Sequence, residues 1–262
     1  EPLSAVSDIE AMQAKSERIM AKYMRPVWFA GRAPAFDADS QSWEEYATAI
    51  KPLTADVAAD ACLVTPTIWG TELGTLMGRL CNVADSPMRV ATGALVGSWT
   101  ERPVDKSGRR LDMSVLEGLD KARFSVPQWY PDYEGMYWAD GNVLDVNGGD
   151  FQVIENVRVI MKAMRRVYPL AVARIADRRF NSTPASVAQN KTYFMRPLRE
   201  MSRSVTILGQ TFPGEIYPPE DGDITVSWPS RTSVELYMAV RPYNCPKKIT
   251  CNLFLDLNNY AA

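Results

Sequence analysis

The stretch of sequence that decides the fold covers residues 137–204 and reads YWADGNVLDVNGGDFQVIENVRVIMKAMRRVYPLAVARIADRRFNSTPASVAQNKTYFMRPLREMSRS. It contains the longest amphipathic pattern of the chain. Apolar residues recur at helical spacing between positions 153 and 168, and they form one continuous face with bases at other positions. The pattern predicts a helix over residues 151–168, about 25 Å long at the helical rise per residue.

Prolines and short polar residues set the predicted ends of the helices in this stretch. Asp150 is predicted to cap the first helix, and Pro169 to interrupt it before a helical spacing resumes over residues 170–180. Thr183 is predicted to cap a further helix whose first residue is Pro184. Pro197 is predicted to bend or divide that helix.

A polar run precedes the first of these helices, over residues 140–150. It looks superficially like a calcium loop, but no register supplies both the required glycine and the required glutamate. Turn chemistry is the preferred interpretation, with the Gly148-Gly149 pair allowing positive backbone dihedral angles. The Asp140-Gly141 pair predicts a hairpin turn between the strands on either side of it.

The N-terminal part alternates between helix patterns and short apolar runs. Capping-box patterns at Ser7-x-x-Glu10 and Ser42-x-x-Glu45 open two helices, and a third covers residues 69–83. Strands are predicted over residues 25–31, 61–64 and 88–95. This alternation predicts an α/β fold with a mainly parallel sheet and flanking helices. Because no strand precedes the first helix, we also expect that an N-terminal segment is missing from this sequence.

The remaining segments complete the predicted organisation. Residues 99–130 form a polar, turn-rich loop or insertion with a short helix over residues 114–121. After residue 204 alternating patterns predict antiparallel strands over the ranges 205–208, 211–216, 223–228, 233–240 and 249–257. We therefore predict two regions: an α/β region over residues 1–130 and, over residues 131–262, an α+β part with long helices and antiparallel strands.

Composition limits the possible function. The chain has no histidine, which removes the commonest general base and metal ligand, and its four cysteines form no C-x-x-C pair. No apolar run approaches the length of a membrane span, so no membrane insertion is expected. Net charge is −2, yet residues 150–204 carry eleven Lys or Arg against four acids, a local +7 that leaves −9 elsewhere. Such asymmetry is typical of a nucleic-acid surface or of a subunit whose basic face meets an acidic partner, and the overall acidity favours the second.

Four segments, in this order, carry a resemblance to a known family: YWADGNVLDVNGGDFQVIENVRV, RIADRRFNSTPASVAQNKTYFMRPLREMS, FPGEI and PKKITCNLFLDL. The sequence from about residue 130 to 257 resembles the contractile tail sheath proteins of Mu-like phages and prophages. The resemblance implies a structural protomer, not an enzyme, that polymerises as helical rings around a tail tube and needs no cofactor. It also implies a location in the virion tail, assembly in the host bacterial cytoplasm, and contacts with other copies, the tube, the baseplate and the tail terminator.

Candidate assembly residues follow from the basic stretch and the terminal strand. A first set is predicted to contact other protomers: Arg158, Lys162, Arg165, Arg166, Arg178 and Arg179. A second set is predicted to face the tube: Lys191, Arg196, Arg199 and Arg203. A third set is predicted to form a strand-exchange arm: Asn252, Leu253, Phe254, Leu255 and Leu257. The structural alternatives are a solvated basic helix face and a last strand that pairs within its own sheet.

Two other functions stay open at this stage. A cytosolic α/β enzyme or nucleotide-binding protein would hold its ligand at the carboxyl ends of the first three strands. Against it, the glycines at 70, 74 and 78 are not followed by the Lys-Ser/Thr of a phosphate loop, and no paired acid and base is evident. Nucleic-acid binding through the basic stretch would show a steep salt dependence.

Overall fold

The computed structural model describes residues 2–81, 99, 101–207, 209–244 and 246. Within these residues the chain forms six α-helices, one short 3-10 helix and nine strands. The helices are α1 Val6–Tyr23, α2 Trp43–Ile50, the 3-10 turn Lys51–Leu53, α3 Glu72–Leu80, α4 Met113–Lys121, α5 Ile154–Val172 and α6 Pro184–Met201. The strands are β1 Phe29–Ala35, β2 Ala59–Thr67, β3 Pro127–Tyr130, β4 Tyr133–Trp138, β5 Val143–Leu144, β6 Val205–Ile207, β7 Gln210–Phe212, β8 Ile224–Ser230 and β9 Ser233–Met238.

The principal sheet has the order β1-β2-β5 and confirms the mixed α/β class. Strand β2 is its centre and is buried at eight of its nine positions. It pairs in parallel with β1, with Phe29 opposite Cys62, and antiparallel with β5, with Leu63 opposite Val143. The predicted strand over residues 88–95 lies outside the described residues. In the described part the sheet therefore contains one parallel and one antiparallel pair.

Helix caps in the N-terminal half confirm one prediction and correct another. Ser42 caps α2 as predicted: its hydroxyl accepts from the Glu45 backbone N at 3.3 Å, and the Glu45 carboxylate accepts from the Ser42 N at 2.8 Å. The predicted capping box of Ser7 and Glu10 is wrong, because α1 already begins at Val6. The Asp8 carboxylate accepts there from the backbone N of Ser4 at 2.8 Å and of Ala5 at 3.1 Å. An anionic acceptor near a helix N-terminus is favoured by the helix dipole.

The predicted hairpin at Asp140-Gly141 is wrong. Strand β4 pairs with β3 instead, and the chain turns at residues 131–132, where Asp132 has a positive φ of 59°. After β4, residues 141–143 pair with residues 152–154 through Ile154 N to Gly141 O and Val143 N to Gln152 O, both 2.8 Å. These bonds redirect the chain into the principal sheet, where Val143 and Leu144 are buried.

The polar segment before α4 packs against α2. Lys106 pairs with the Glu45 carboxylate at 2.5 Å, and Arg109 pairs with that of Glu44. The Trp43 indole donates to the Arg109 carbonyl at 2.9 Å, and Leu111 is fully buried beneath the segment. The predicted short helix is confirmed as α4.

Prolines divide neither of the two long helices. The predicted interruption at Pro169 is wrong, and the predicted bend or division at Pro197 is not a division. Helix α5 continues through Pro169 and ends at Val172. The predicted helical run over residues 170–180 is not formed beyond that residue, because turns follow. Helix α6 begins at Pro184 with Thr183 as its cap, as predicted, but it is a single helix that includes Pro197. A proline removes one hydrogen bond from a helix. Each proline has a buried neighbour in its own helix, Val167 in α5 and Leu198 in α6, and this neighbour keeps the helix packed near the missing hydrogen bond.

The start of α5 also differs from prediction. Val153, not Asp150, is its N-cap residue. Asp150 contributes its carbonyl, which accepts from the Asn156 side-chain amide at 2.9 Å. The preceding turn is organised by the Asp145 carboxylate, which accepts from the backbone N of Val146 at 2.8 Å and of Phe151 at 2.9 Å. Only Gly148 of the glycine pair has a positive φ.

The C-terminal half is built around α5 and α6. Both helices and β8 share a core cluster: Val159, Ala163, Val167, Phe194, Met195, Leu198, Met201, Ile216 and Ile224. Four of the predicted antiparallel strands form two hairpins: β6 pairs with β7 around Gly209, which has a positive φ of 80°, and β8 pairs with β9. The predicted strand over residues 249–257 lies outside the described residues. The N-terminal half of α5 belongs to a different cluster, with Ile154 and Val157 beside Trp138 of β4 and Leu63 of β2.

Candidate assembly surface

The structure brings the predicted basic residues together on one helical unit. Helix α5 carries Arg158, Lys162, Arg165 and Arg166, the connection carries Arg178 and Arg179, and α6 carries Lys191, Arg196 and Arg199 with Arg203 just beyond its end. They nevertheless differ strongly in what surrounds them. Helical spacing distributes them around two helices that also share a core, so some face inward and others face solvent.

Two of these residues, Arg158 and Lys162, are engaged by segments that are distant in the sequence. The Arg158 guanidinium donates to the Leu80 carbonyl at 2.9 Å, which ties α5 to the end of α3, and burial lowers the pKa of that guanidinium. The Lys162 ammonium pairs with the Glu215 carboxylate, and both side chains are partly buried. This pair ties α5 to the segment between β7 and β8. Both residues therefore help to position α5.

Other members of the set face solvent. Arg165, Arg166 and Arg178 are exposed, and within the described residues no hydrogen bond or ion pair engages their side chains. Arg166 follows Arg165 directly, so the two guanidinium groups project from neighbouring positions of α5. These three side chains are available for a partner.

Asp177 organises the connection between α5 and α6, and the sequence analysis did not identify it. Its carboxylate accepts from the Arg179 Nε at 2.9 and 3.0 Å and from the Arg179 backbone N at 2.9 Å. Arg174 donates to the same carboxylate at 2.7 Å. The preceding residue, Ala176, has a positive φ of 58°, an unfavourable conformation for a non-glycine residue. The only local signal was the D-x-R spacing, which gives no indication of the second arginine.

Asp177→Asn is expected to destabilise the protein at neutral pH and to lose that effect in acid. The side chain and backbone of Arg179, and then Arg174, hold the pKa of the Asp177 carboxyl far below its usual value. A group with a depressed folded pKa stabilises the fold above its unfolded pKa of about 3.9, and that contribution falls as the pH drops further. Urea unfolding of both proteins at several pH values measures the difference, which should shrink below pH of about 4.

The exposed loop variant Asp221→Asn is the matched control, because no described hydrogen bond or ion pair engages that side chain. It should track the wild-type protein at every pH. A stability difference for Asp177→Asn that stays constant through acid would contradict the assigned role of its carboxylate.

A basic groove follows the exposed side of α6. It has a volume of about 560 Å³ and is lined by Arg174, Gln189, Thr192, Tyr193, Arg196, Arg199, Glu200 and Arg203. The Arg174 guanidinium lies 4.2 Å from the centroid of the Tyr193 ring, an arrangement favoured by cation–π attraction, and Arg196 pairs with Glu200 at 3.2 Å. Three of the four residues predicted to face the tube line this groove, whereas Lys191 does not.

A second cavity lies where the enzyme alternative would place a ligand. It has a volume of about 530 Å³, lies at the carboxyl ends of β1 and β2, and is lined in part by Arg32, Thr67 and Glu72. The Glu72 carboxylate is almost fully buried and accepts from the backbone N of Ile68 and Trp69, so it stabilises the turn that leads into α3. Thr67 donates its hydroxyl to the Ala33 carbonyl at 2.8 Å. Thr67 and Glu72 thus both have partners within the fold, which favours a structural role for this corner.

Neither a metal-binding cluster nor a membrane-spanning helix is found among the residues that the structure describes. No group of three or more His, Cys, Asp or Glu residues there is arranged to hold a metal ion. None of the helices that the structure describes has the length and apolar character to span a membrane. The predicted strand-exchange residues lie outside the described ranges.

Comparison with known proteins gives matches over nearly the whole chain. Residues 1–142 match the family model "DUF2586, N-terminal domain", and residues 150–258 match "DUF2586, C-terminal domain". The chain is 47% identical over 261 residues to a protein of Haemophilus phage HP1 (strain HP1c1) named "Putative tail sheath protein". This alignment covers 97% of the chain and 69% of the phage protein. The chain therefore belongs to the DUF2586 family, within the phage tail sheath proteins.

Proposed function

We propose that this chain is a structural subunit of a contractile phage tail sheath and has no catalytic role. In this proposal it polymerises as helical rings around the tail tube, and contraction drives the tube through the host envelope. The observation that carries the proposal is the 47% identity to the HP1 phage protein across 97% of the chain. Assembly would take place in the host bacterial cytoplasm, and the mature location would be the virion tail.

The helical unit supports an assembly role. Helices α5 and α6 and strand β8 share a buried core, while arginines on their outer sides face solvent. Solvated ion pairs contribute little net free energy each, so a lattice held by many of them can exchange one packing for another at small cost. A subunit that keeps its own core while its surface contacts rearrange suits a sheath with two states.

The proposal also gives each predicted surface a partner. We propose that other copies of the chain contact the first predicted set. Its exposed members Arg165, Arg166 and Arg178 have no hydrogen bond or ion pair through their side chains in the described residues. The groove along α6, with Arg196, Arg199 and Arg203, would face the tail tube. Baseplate and tail terminator proteins would bind the ends of the sheath, and residues 252–257 would serve as the exchanged arm.

Electron microscopy tests this function directly. The purified chain, alone and mixed with the tail tube protein of the same phage, is examined by negative stain across a concentration series. We expect rings or tubes, with longer and more regular tubes when the tube protein is present. Particles that stay monomeric under both conditions at high concentration would contradict a sheath role.

A further inference from the structure

The tip of the β3–β4 hairpin, residues 130–135 with the sequence YPDYEG, is an exposed acidic and aromatic surface. Tyr130 and Tyr133 are 44% and 66% exposed. Asp132 and Glu134 are exposed as well, and no hydrogen bond or ion pair engages either carboxylate in the described part of the chain. No Lys or Arg occurs between Arg123 and Arg158. The tip therefore carries two acidic side chains with no base near it in the sequence. The guanidinium of Arg102 lies 4.3 Å from the centroid of the Trp129 ring, on the strand that leads into the tip.

Contacts within the hairpin hold this tip in shape. The rings of Tyr130 and Tyr133 lie 5.3 and 5.6 Å from the ring of Tyr137, which is buried beneath them. The Tyr137 hydroxyl donates to the Glu134 carbonyl at 2.8 Å, and the Gln128 amide donates to the Tyr130 hydroxyl at 2.6 Å. A surface that is ordered before binding loses little conformational entropy when a partner arrives.

The C-terminal half of α5 presents the complementary chemistry. Arg165, Pro169 and Val172 follow one another along one exposed side of the helix, with Arg166 on its flank and Ile175 in the turn that follows. Val172 and Ile175 are 45% and 75% exposed. We call these five residues the α5 stripe. Its helical part, from Arg165 to Val172, extends about 10 Å at the helical rise per residue. Two guanidinium groups lie at one end and aliphatic side chains at the other.

We propose that the hairpin tip of one copy docks on the α5 stripe of the next copy. The carboxylates of Asp132 and Glu134 match the two arginines in charge, and the exposed tyrosine rings match the aliphatic end in polarity. Both surfaces are solvent-exposed in the single chain, so neither covers the other there. A contact between two different surfaces of identical subunits propagates into rings or open helices. The inference rests on the proposed sheath function, because that function requires such a repeating contact.

Cross-linking between two tagged copies tests the contact without requiring long polymers. One copy carries Tyr133→Cys and the other carries Ile175→Cys, and the mixture is mildly oxidised. We expect the mixed disulfide at a yield about tenfold above that of a control pair of Tyr133→Cys with Ala14→Cys at an exposed position of α1, because only a specific contact favours one position. Wild-type chain with its native cysteines, of which Cys81 is exposed, gives the background.

A charge exchange provides the second measurement. Asp132→Lys with Glu134→Lys in the tip copy should lower the cross-linking yield about tenfold, since two attractive pairs become repulsive. Arg165→Glu with Arg166→Glu in the other copy should restore it. Equal yields from the Ile175 and Ala14 pairs, or no recovery on charge exchange, would overturn the inference.

The two proposals fail in different ways. Regular tubes in the microscope without the specific cross-link would contradict the tip-to-stripe contact and leave the sheath function supported. A specific cross-link without rings or tubes would support the contact and contradict the sheath function. Absence of both would contradict both.

Discussion

Arg123→Met is expected to lower the free energy of unfolding by about 3 kcal/mol, because the lost hydrogen bonds leave backbone carbonyls without a partner. The guanidinium donates to the carbonyls of Ala55 at 2.9 Å, Val57 at 3.0 Å and Asp145 at 2.8 Å, and also to that of Thr54. These carbonyls come from the segment before β2 and the segment after β5. In this antiparallel pair the start of β2 lies beside the end of β5, so one side chain joins the two strands at that end of the pair.

Methionine is the informative replacement because it keeps most of the aliphatic stem and removes all donors. Arg123→Lys, which keeps the charge but not the planar fork, should lose an intermediate amount. Lys121→Ala, at an exposed position of α4, is the matched control and should leave stability unchanged. Urea unfolding followed by circular dichroism measures all three variants. If Arg123→Met lowers the free energy of unfolding no more than Lys121→Ala does, the stabilising role of the Arg123 guanidinium is contradicted.

Phe194→Ala is expected to cost about 4 kcal/mol of stability, the usual effect of removing a buried phenylalanine ring. Phe194 is fully buried, and its ring lies 5.7 Å from that of Phe180 and 5.4 Å from that of Tyr193. It belongs to the cluster shared by α5, α6 and β8. The cavity left behind would loosen the unit that carries the proposed assembly surfaces, so assembly should weaken together with stability.

The exposed position Ala188 of the same helix supplies the control, since Ala188→Ser removes no buried contact and Ala188 does not line the groove along α6. Phe194→Leu, which fills much of the space, should recover part of the loss. Thermal unfolding and the microscopy assay are compared for the three variants. If Phe194→Ala unfolds like the wild-type protein, the ring is not a main support of this core.

Several features of the fold were predictable because the signals that determine them are local. The Ser42 and Glu45 cap of α2 and the Thr183-Pro184 start of α6 involve residues within one helical turn. The β6–β7 and β8–β9 hairpins follow from short-range alternation and turns. The placement of the basic residues on two long helices follows from spacing alone.

Other features depended on distant residues and were mispredicted or missed. Val143 and Leu144 pair with β2, more than seventy residues earlier in the chain, and not with the adjacent strand β4. Arg123 and Asp177 are single charged residues without a local pattern, and only the folded chain shows the carbonyls and arginines that surround them. Long-range partners of this kind are not encoded in any short window of sequence.

The candidate assembly surface, too, was predicted in part from the sequence and decided in part by the tertiary structure. By itself the sequence determined the amphipathic helices, the basic excess of residues 150–204 and the relationship to phage tail sheath proteins, because periodicity, charge and identity are properties of residue order. Only the tertiary structure decided that Arg158 and Lys162 turn toward partners within the chain while Arg165 and Arg166 face solvent. It also decided that α5 continues through Pro169. The physical reason is burial. The helical pattern does not specify which residues pack against α3, α6 and the strands, and that packing selects the inward face of each helix. The same burial offsets the hydrogen bond that the proline removes.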